Sequence, residues 1–239
     1  MKRLILAAMT VAALTVGTKA EAALAFQLTL CQGATCTTFP VDTQVLNATI
    51  GDYHINAALG SGNEGNPVST SSNVDLTVTR VGQTSVAPLN VWLTVTGYTQ
   101  PTGQQYSFDV ALGASETSTG SSPSRGLVTY QAWYSSTNGT GFPPPGSSPS
   151  GLASCTPVMS PLTDSCNSNP TAVVVTPGSS LFSITSLTQF FIGLGDTSTY
   201  GAVGQASLAA PVPEPGSMVL LGSGLFGMAA ILRRRHARK

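Results

Sequence analysis

The sequence predicts an all-β protein whose body is an antiparallel β-sandwich or a jelly-roll-like arrangement. Apolar and polar residues alternate with a period of two through much of residues 26–210, which is typical of strands with one buried face. Gly, Pro, Asn and Ser separate these runs, as turns between short strands require. No long stretch of the body shows a helical period, so we expect helices only at the two ends of the chain.

The predicted strands follow one another at short intervals. Alternation is clearest in Phe26–Leu30, Val74–Thr79, Leu89–Thr96 and Tyr106–Leu112. Weaker runs lie at Val45–Ile50, Tyr53–Leu59, Leu127–Tyr134, Ala172–Thr176, Leu181–Thr185, Gln189–Leu194 and Gln205–Ala209. About ten short strands with turns between them favour a sandwich, and a partly open barrel is the alternative. The Pro- and Ser-rich segment 135–169 is expected to be a long surface excursion from this single domain.

The charge of the chain is low and unevenly distributed. Only 8% of the 239 residues are charged, whereas about 25% is usual in soluble domains. Residues 24–212 contain two basic residues, Arg80 and Arg125, against eight acidic residues, a net charge of −6. Such a body lacks the basic surface that nucleic-acid binding requires, so we expect no nucleic-acid partner.

The N-terminus has the three parts of a secretory signal peptide. Met1-Lys2-Arg3 is followed by an apolar run from Leu4 to Val16 and then by small residues. We therefore predict a signal helix over residues 1–25, removed by signal peptidase after Ala22 or Ala25.

The C-terminus combines a proline-rich motif, an apolar segment and a basic tail. Residues 217–232 are mainly apolar and would form a helix of about 24 Å, short for a bilayer core of about 30 Å unless flanking Arg side chains snorkel. We predict a single transmembrane helix here, with the basic tail on the cytoplasmic side.

This arrangement resembles the PEP-CTERM sorting signal of Gram-negative bacteria. The matching residues are Pro213, Glu214 and Pro215, followed by the apolar helix and the stop-transfer cluster Arg233, Arg234 and Arg235. The resemblance covers about residues 211–235 and implies an exosortase, a membrane protease-transpeptidase, as processing partner. It also implies export through the inner membrane, transient anchoring, and delivery to the cell surface or medium. It describes nothing in the body itself.

Four cysteines lie in the part predicted to be exported. An even number in an oxidising compartment favours disulfides. Local pairing of Cys31 with Cys36 and of Cys155 with Cys166 is favoured because each pair would close a short loop. A metal site is the weaker alternative, because zinc sites use closer ligand spacing.

The body shows no recognisable catalytic set, and we predict neither an enzyme nor a bound metal or cofactor. His54 is its only histidine and lies within a predicted strand, where a surface position is expected. The scattered acids leave a carboxylate-dependent hydrolase open. The aromatic residues Trp92, Trp133, Tyr130 and Tyr134 could stack on sugar rings, although some must belong to the core.

These features predict an exported cell-surface or extracellular-matrix protein, linked to exopolysaccharide, biofilm structure or adhesion. A carbohydrate-binding module is the first alternative, and a secreted hydrolase is the second.

Overall fold

A computed structural model of the chain describes residues 24–39, 45–64, 69–101, 103–117, 126–156, 163–178, 181–194, 196 and 198–209. These residues form antiparallel strands and contain no helix, which confirms the all-β prediction. Within them no helix is long and apolar enough to cross a membrane. The predicted transmembrane segment 217–232 and nearly all of the predicted signal helix lie outside the described residues.

The described residues form fourteen strands. In chain order they are β1 (Ala25–Gln32), β2 (Thr35–Phe39), β3 (Val45–Ile50), β4 (Tyr53–Glu64), β5 (Ser69–Arg80), β6 (Leu89–Tyr98), β7 (Tyr106–Thr117), β8 (Leu127–Ser135), β9 (Ser148–Pro149), β10 (Ala153–Cys155), β11 (Thr163–Ser168), β12 (Val173–Val175), β13 (Phe182–Phe191) and β14 (Thr199–Ala209).

The strands assemble into two seven-stranded sheets. Sheet A has the order β10-β8-β13-β6-β1-β2, with β9 also paired to β8. Sheet B has the order β11-β7-β14-β5-β4-β3, with β12 also paired to β7. Consecutive strands often belong to different sheets, so the chain crosses repeatedly between them.

Two parts of the body differ from the sequence prediction. The runs 181–185 and 189–194 belong largely to one strand, β13, because Ser186 and Thr188 occupy core-facing positions and hide the alternation. The segment 135–169 is more than a surface excursion, because β9, β10 and β11 lie within it and extend the edges of both sheets.

The core lies between the sheets and is built from their inward-facing side chains. Both sheets contribute buried aliphatic and aromatic residues to one continuous cluster. The contact is close at Gly204 of β14, where an added Cβ would lie 2.3 Å from the Tyr130 ring of β8. A glycine here lets a tyrosine of sheet A pack directly against the backbone of sheet B.

The start of the first strand and the end of the last strand lie at the same end of the two sheets. Near the end of β1, the side chain of Gln32 accepts a hydrogen bond from the Asp52 amide at 2.7 Å, beside the start of β4. At the opposite end, the Tyr98 hydroxyl donates to the carbonyl of Ser71 at 2.8 Å. The registers of β1 and β14 therefore place Ala25 and Ala209 at the second of these ends. We call it the proximal end, and the Asp52 end the distal end.

The two disulfides have different structural roles. Cys31 and Cys36 are directly opposite each other in the β1–β2 hairpin of sheet A. Cys155 lies in β10 of sheet A and Cys166 in β11 of sheet B, so their bond joins the edges of the two sheets. This is the local pairing that the spacing favours.

Candidate functional site

Three aromatic rings gather on the outer face of sheet A. The centroids of Trp92 and Trp133 are 5.6 Å apart with an angle of 34° between the ring planes. Phe142 lies 5.5 Å from Trp92 at an angle of 51°. Both tryptophans are half-buried and Phe142 is 41% exposed. We call these three residues the aromatic cluster.

The strand register brings the two tryptophans together. Trp92 of β6 and Trp133 of β8 flank the central strand β13 on its two sides. Thr185 of β13 lies opposite both Trp133 and Thr94, and Leu187 lies opposite Trp92. Because these side chains are smaller than indole, the two rings can meet above β13. The alternating pattern of each strand places its tryptophan outward, but only the strand order reveals that they are neighbours.

Phe142 reaches the cluster from the loop that follows β8. The carboxamide oxygen of Asn138 accepts a hydrogen bond from the Gly97 amide at 2.9 Å. The Ser183 hydroxyl donates to the Gly139 carbonyl at 2.8 Å. These two bonds hold the loop, residues 136–147, over the outer face of sheet A, where Pro144 is buried. Its contribution to the cluster was missed in the sequence because Phe142 lies among prolines with no alternating pattern.

Uncharged polar side chains continue the surface along the same three strands. Gln189 donates to Asn90 at 2.8 Å and accepts from the Thr129 hydroxyl at 3.3 Å. Gln131, two residues before Trp133, donates to the Ser150 carbonyl at 3.2 Å. Asn90, Gln131 and Gln189 are all half-buried, and these contacts hold their amide groups in fixed positions. Amides offer both donors and acceptors to a ligand.

The outer face of sheet B has a different character. A shallow groove of about 390 Å³ runs across β5, β14, β7 and β11. Small or polar residues such as Thr77, Gly113, Ser115 and Gly201 line it, with Asp75 and Val203 exposed beside them. None of its lining residues is aromatic. On the same sheet, half-buried His54 forms a hydrogen bond with Thr49 at 3.3 Å, in keeping with a strand histidine near the surface.

Two acidic side chains lie beside Tyr200 inside the distal end. Asp196 is fully buried and accepts a 2.6 Å hydrogen bond from the Tyr200 hydroxyl. Glu116, 3% exposed, is the cross-strand neighbour of Tyr200 on β7. Burial, the hydrogen bond to Asp196 and the charges of both carboxylates raise the pKa of Tyr200. Among the residues described, no group of three or more His, Cys, Asp or Glu side chains could hold a metal ion.

A third buried acid, Asp52, orders the loop between β5 and β6. Asp52 accepts hydrogen bonds from the Thr84 hydroxyl at 2.6 Å and from the Ser85 amide at 2.7 Å. Its carboxylate also lies 3.4 Å from the guanidinium of Arg80, which is 1% exposed. The Thr84 hydroxyl bond, together with the Ser85 and Thr84 amides, holds the pKa of Asp52 below its usual value against the opposing effect of burial.

None of the remaining predicted site residues lies in the aromatic cluster as the structure describes it. Tyr130 and Tyr134 face the core and take no part in the aromatic cluster. The sorting residues Pro213, Glu214, Pro215, Arg233, Arg234 and Arg235 lie outside the described residues.

Comparison with known families identifies the C-terminal segment. The model of the PEP-CTERM protein-sorting motif matches residues 211–235. This match confirms the resemblance of the C-terminus and covers none of the body. No curated protein matches the chain.

Proposed function

We propose that this is an exosortase-sorted surface protein whose body binds glycans through the aromatic cluster on sheet A. The sorting motif at residues 211–235 indicates an exported protein that an exosortase processes. The glycan-binding part of the proposal rests on one observation, the meeting of Trp92, Trp133 and Phe142 on one outer face. We assign the body a binding role rather than a catalytic one.

Aromatic rings suit sugars because a pyranose ring has apolar C–H faces and a polar rim. Stacking removes both apolar surfaces from water, at roughly 25 cal/mol per Å² buried, while the hydroxyl groups of the sugar need hydrogen-bonding partners. The aromatic cluster supplies the apolar surface. The half-buried amides of Gln131, Gln189 and Asn90 supply donors and acceptors beside it.

The direction of the strands suits a protein held at a membrane. β14 ends at Ala209, and the sorting motif begins at residue 211. The proximal end would therefore face the membrane before processing. The eleven residues of β14 extend about 36 Å away from it. The outer face of sheet A would then stand beside the anchor, accessible to cell-surface or matrix polysaccharide. A role in adhesion or biofilm structure would follow from such binding.

The glycan-binding part can be tested by affinity gel electrophoresis of the full chain in detergent, with soluble polysaccharides in the gel. Trp133→Ala should abolish the retardation that the unmodified protein shows. Val203→Ala, an exposed change on sheet B, should leave it unchanged. Equal retardation of the Trp133→Ala variant, folded by its circular dichroism, would reject the proposal.

The sorting part can be tested separately by mass spectrometry of the extracellular form. Cleavage predicts a C-terminus near residues 213–216. An extracellular protein that still ends at Lys239 would contradict sorting by cleavage.

A further inference from the structure

We infer that the ligand of the aromatic cluster is a neutral glycan bound as a single hydrated chain, and neither an acidic polysaccharide nor a crystalline surface. This inference rests on the proposed function and specifies its ligand. Three independent features carry it: the charge of the body, the chemistry of the flanking side chains, and the angles between the rings.

The charge of the body opposes binding of polyanions. Among the described residues, Arg80 is the only Lys or Arg, and it is 1% exposed. Its guanidinium lies beside Asp52 and donates to the carbonyls of Gly82, Ser85 and Ile192. The described surface therefore offers no Lys or Arg side chain to a uronic acid or sulfate group. Residues 24–212 as a whole carry a net charge of −6, which repels such chains at low salt.

The flanking side chains are matched to hydroxyl groups. Gln131 and Gln189 carry carboxamides on the same side of the cluster, and the buried Thr129 holds Gln189 in place through its hydroxyl. Each carboxamide can donate and accept a hydrogen bond, as a sugar hydroxyl can. A neutral sugar would satisfy them without bringing an uncompensated charge to a partly dehydrated surface, which is costly.

The ring angles distinguish a single chain from a flat surface. Trp92 is inclined by 34° to Trp133 and by 51° to Phe142. Three rings at these angles cannot all lie flat against one planar crystal face. A single chain can rotate about its glycosidic bonds and present successive sugars to inclined rings.

The test measures binding of the full chain in detergent to three kinds of carbohydrate. Soluble galactomannan and mixed-linkage β-glucan represent neutral chains, alginate and polygalacturonate represent polyanions, and microcrystalline cellulose represents a flat surface. We expect retardation at least tenfold stronger with a neutral soluble chain than with either polyanion, and no co-sedimentation with crystalline cellulose. Trp92→Ala should lose the retardation.

A gain-of-function variant tests the charge argument directly. Gln131→Lys places a cation two residues from Trp133 and should strengthen retardation by alginate at low salt relative to the unmodified protein, since the basic tail at residues 233–239 is the same in both. Binding of the unmodified protein to alginate or crystalline cellulose in place of neutral chains, if Trp92→Ala abolishes it, would overturn the inference while leaving glycan binding intact. Absence of binding to every carbohydrate would overturn the proposed function as well.

Discussion

The outer faces of the two sheets differ although the same alternating pattern builds both. Sheet A carries two tryptophans that meet above its central strand, and a loop held by Asn138 brings Phe142 beside them. Sheet B carries small side chains such as Gly113 and Gly201 around a shallow groove. Both sheets use the same core. Their difference therefore lies in outward positions that folding leaves free to vary, and such positions are where binding sites can be built.

The two sheets share one core, so alkaline pH should unfold both sheets at once. Burial raises the pKa of four phenols drawn from both sheets: Tyr53, Tyr130, Tyr134 and Tyr200. A raised folded-state pKa contributes stability that is fully present below the unfolded pKa of about 10 and is lost as the pH rises above it.

We therefore expect complete unfolding in strong alkali, followed by circular dichroism and tyrosinate absorbance. Both signals should change in one coincident transition. Ionisation of the buried tyrosines without loss of β-structure would contradict the shared core.

Removal of the disulfide between the sheets should have the next largest effect. Cys155 and Cys166 are separated by 11 residues in sequence and Cys31 and Cys36 by 5. The chain-entropy model then predicts losses of about 3 and about 2 kcal/mol, respectively. Double Cys→Ala variants of each pair, compared by urea unfolding, should show this order. A larger loss for the hairpin pair would contradict the structural role given to the Cys155–Cys166 bond.

Truncation of the aromatic cluster should destabilise the protein less than loss of that bond. A fully buried Trp→Ala change costs roughly 3–5 kcal/mol. Since Trp92 is half-buried, we expect about 2 kcal/mol for Trp92→Ala, measured by urea unfolding. Val203→Ala on sheet B should cost less than about 0.5 kcal/mol. Equal costs at the two positions would remove the distinction between the two outer faces.

The smallest expected effect concerns the loop over sheet A. Asn138→Ala removes the acceptor of the Gly97 amide and should cost about 1 kcal/mol. It should also increase proteolysis within residues 136–147 and weaken glycan binding by releasing Phe142. Thr140→Ala, an exposed change in the same loop, is the control. Identical proteolysis of the two variants would show that Asn138 does not hold the loop.

Much of the fold could be predicted because strand alternation is a local property. Val45–Ile50 was predicted with the bounds of β3, and Leu89–Thr96 lies within β6. The sequence pattern predicts two strands, 181–185 and 189–194, where the structure has the single strand β13. The reason is that Ser186 and Thr188 are buried although they are polar, and alternation alone predicts that polar residues face outward. Phe142 could not be assigned to the site, because its position depends on two hydrogen bonds to distant strands.

The environment of Tyr200 could not be predicted either, because it depends on strand pairing. Asp196 is only four residues before Tyr200, but Glu116 is 80 positions from Asp196 in the sequence, and only the pairing of β7 with β14 brings Glu116 to Tyr200. The two tryptophans were recognised as candidates by residue type, but their contact depends on the order of β6, β13 and β8. Sequence reasoning identifies which side chains face outward more readily than which of them meet.

The most direct test of glycan binding at sheet A uses the fluorescence of the protein itself. The chain has two tryptophans, and both belong to the aromatic cluster, so tryptophan emission reports on this surface alone. Titration of the full chain in detergent with a neutral oligosaccharide, such as a β-glucan or mannan fragment, should give a saturable change in emission. Unchanged emission across neutral oligosaccharides, while the protein remains folded, would contradict glycan binding at the aromatic cluster.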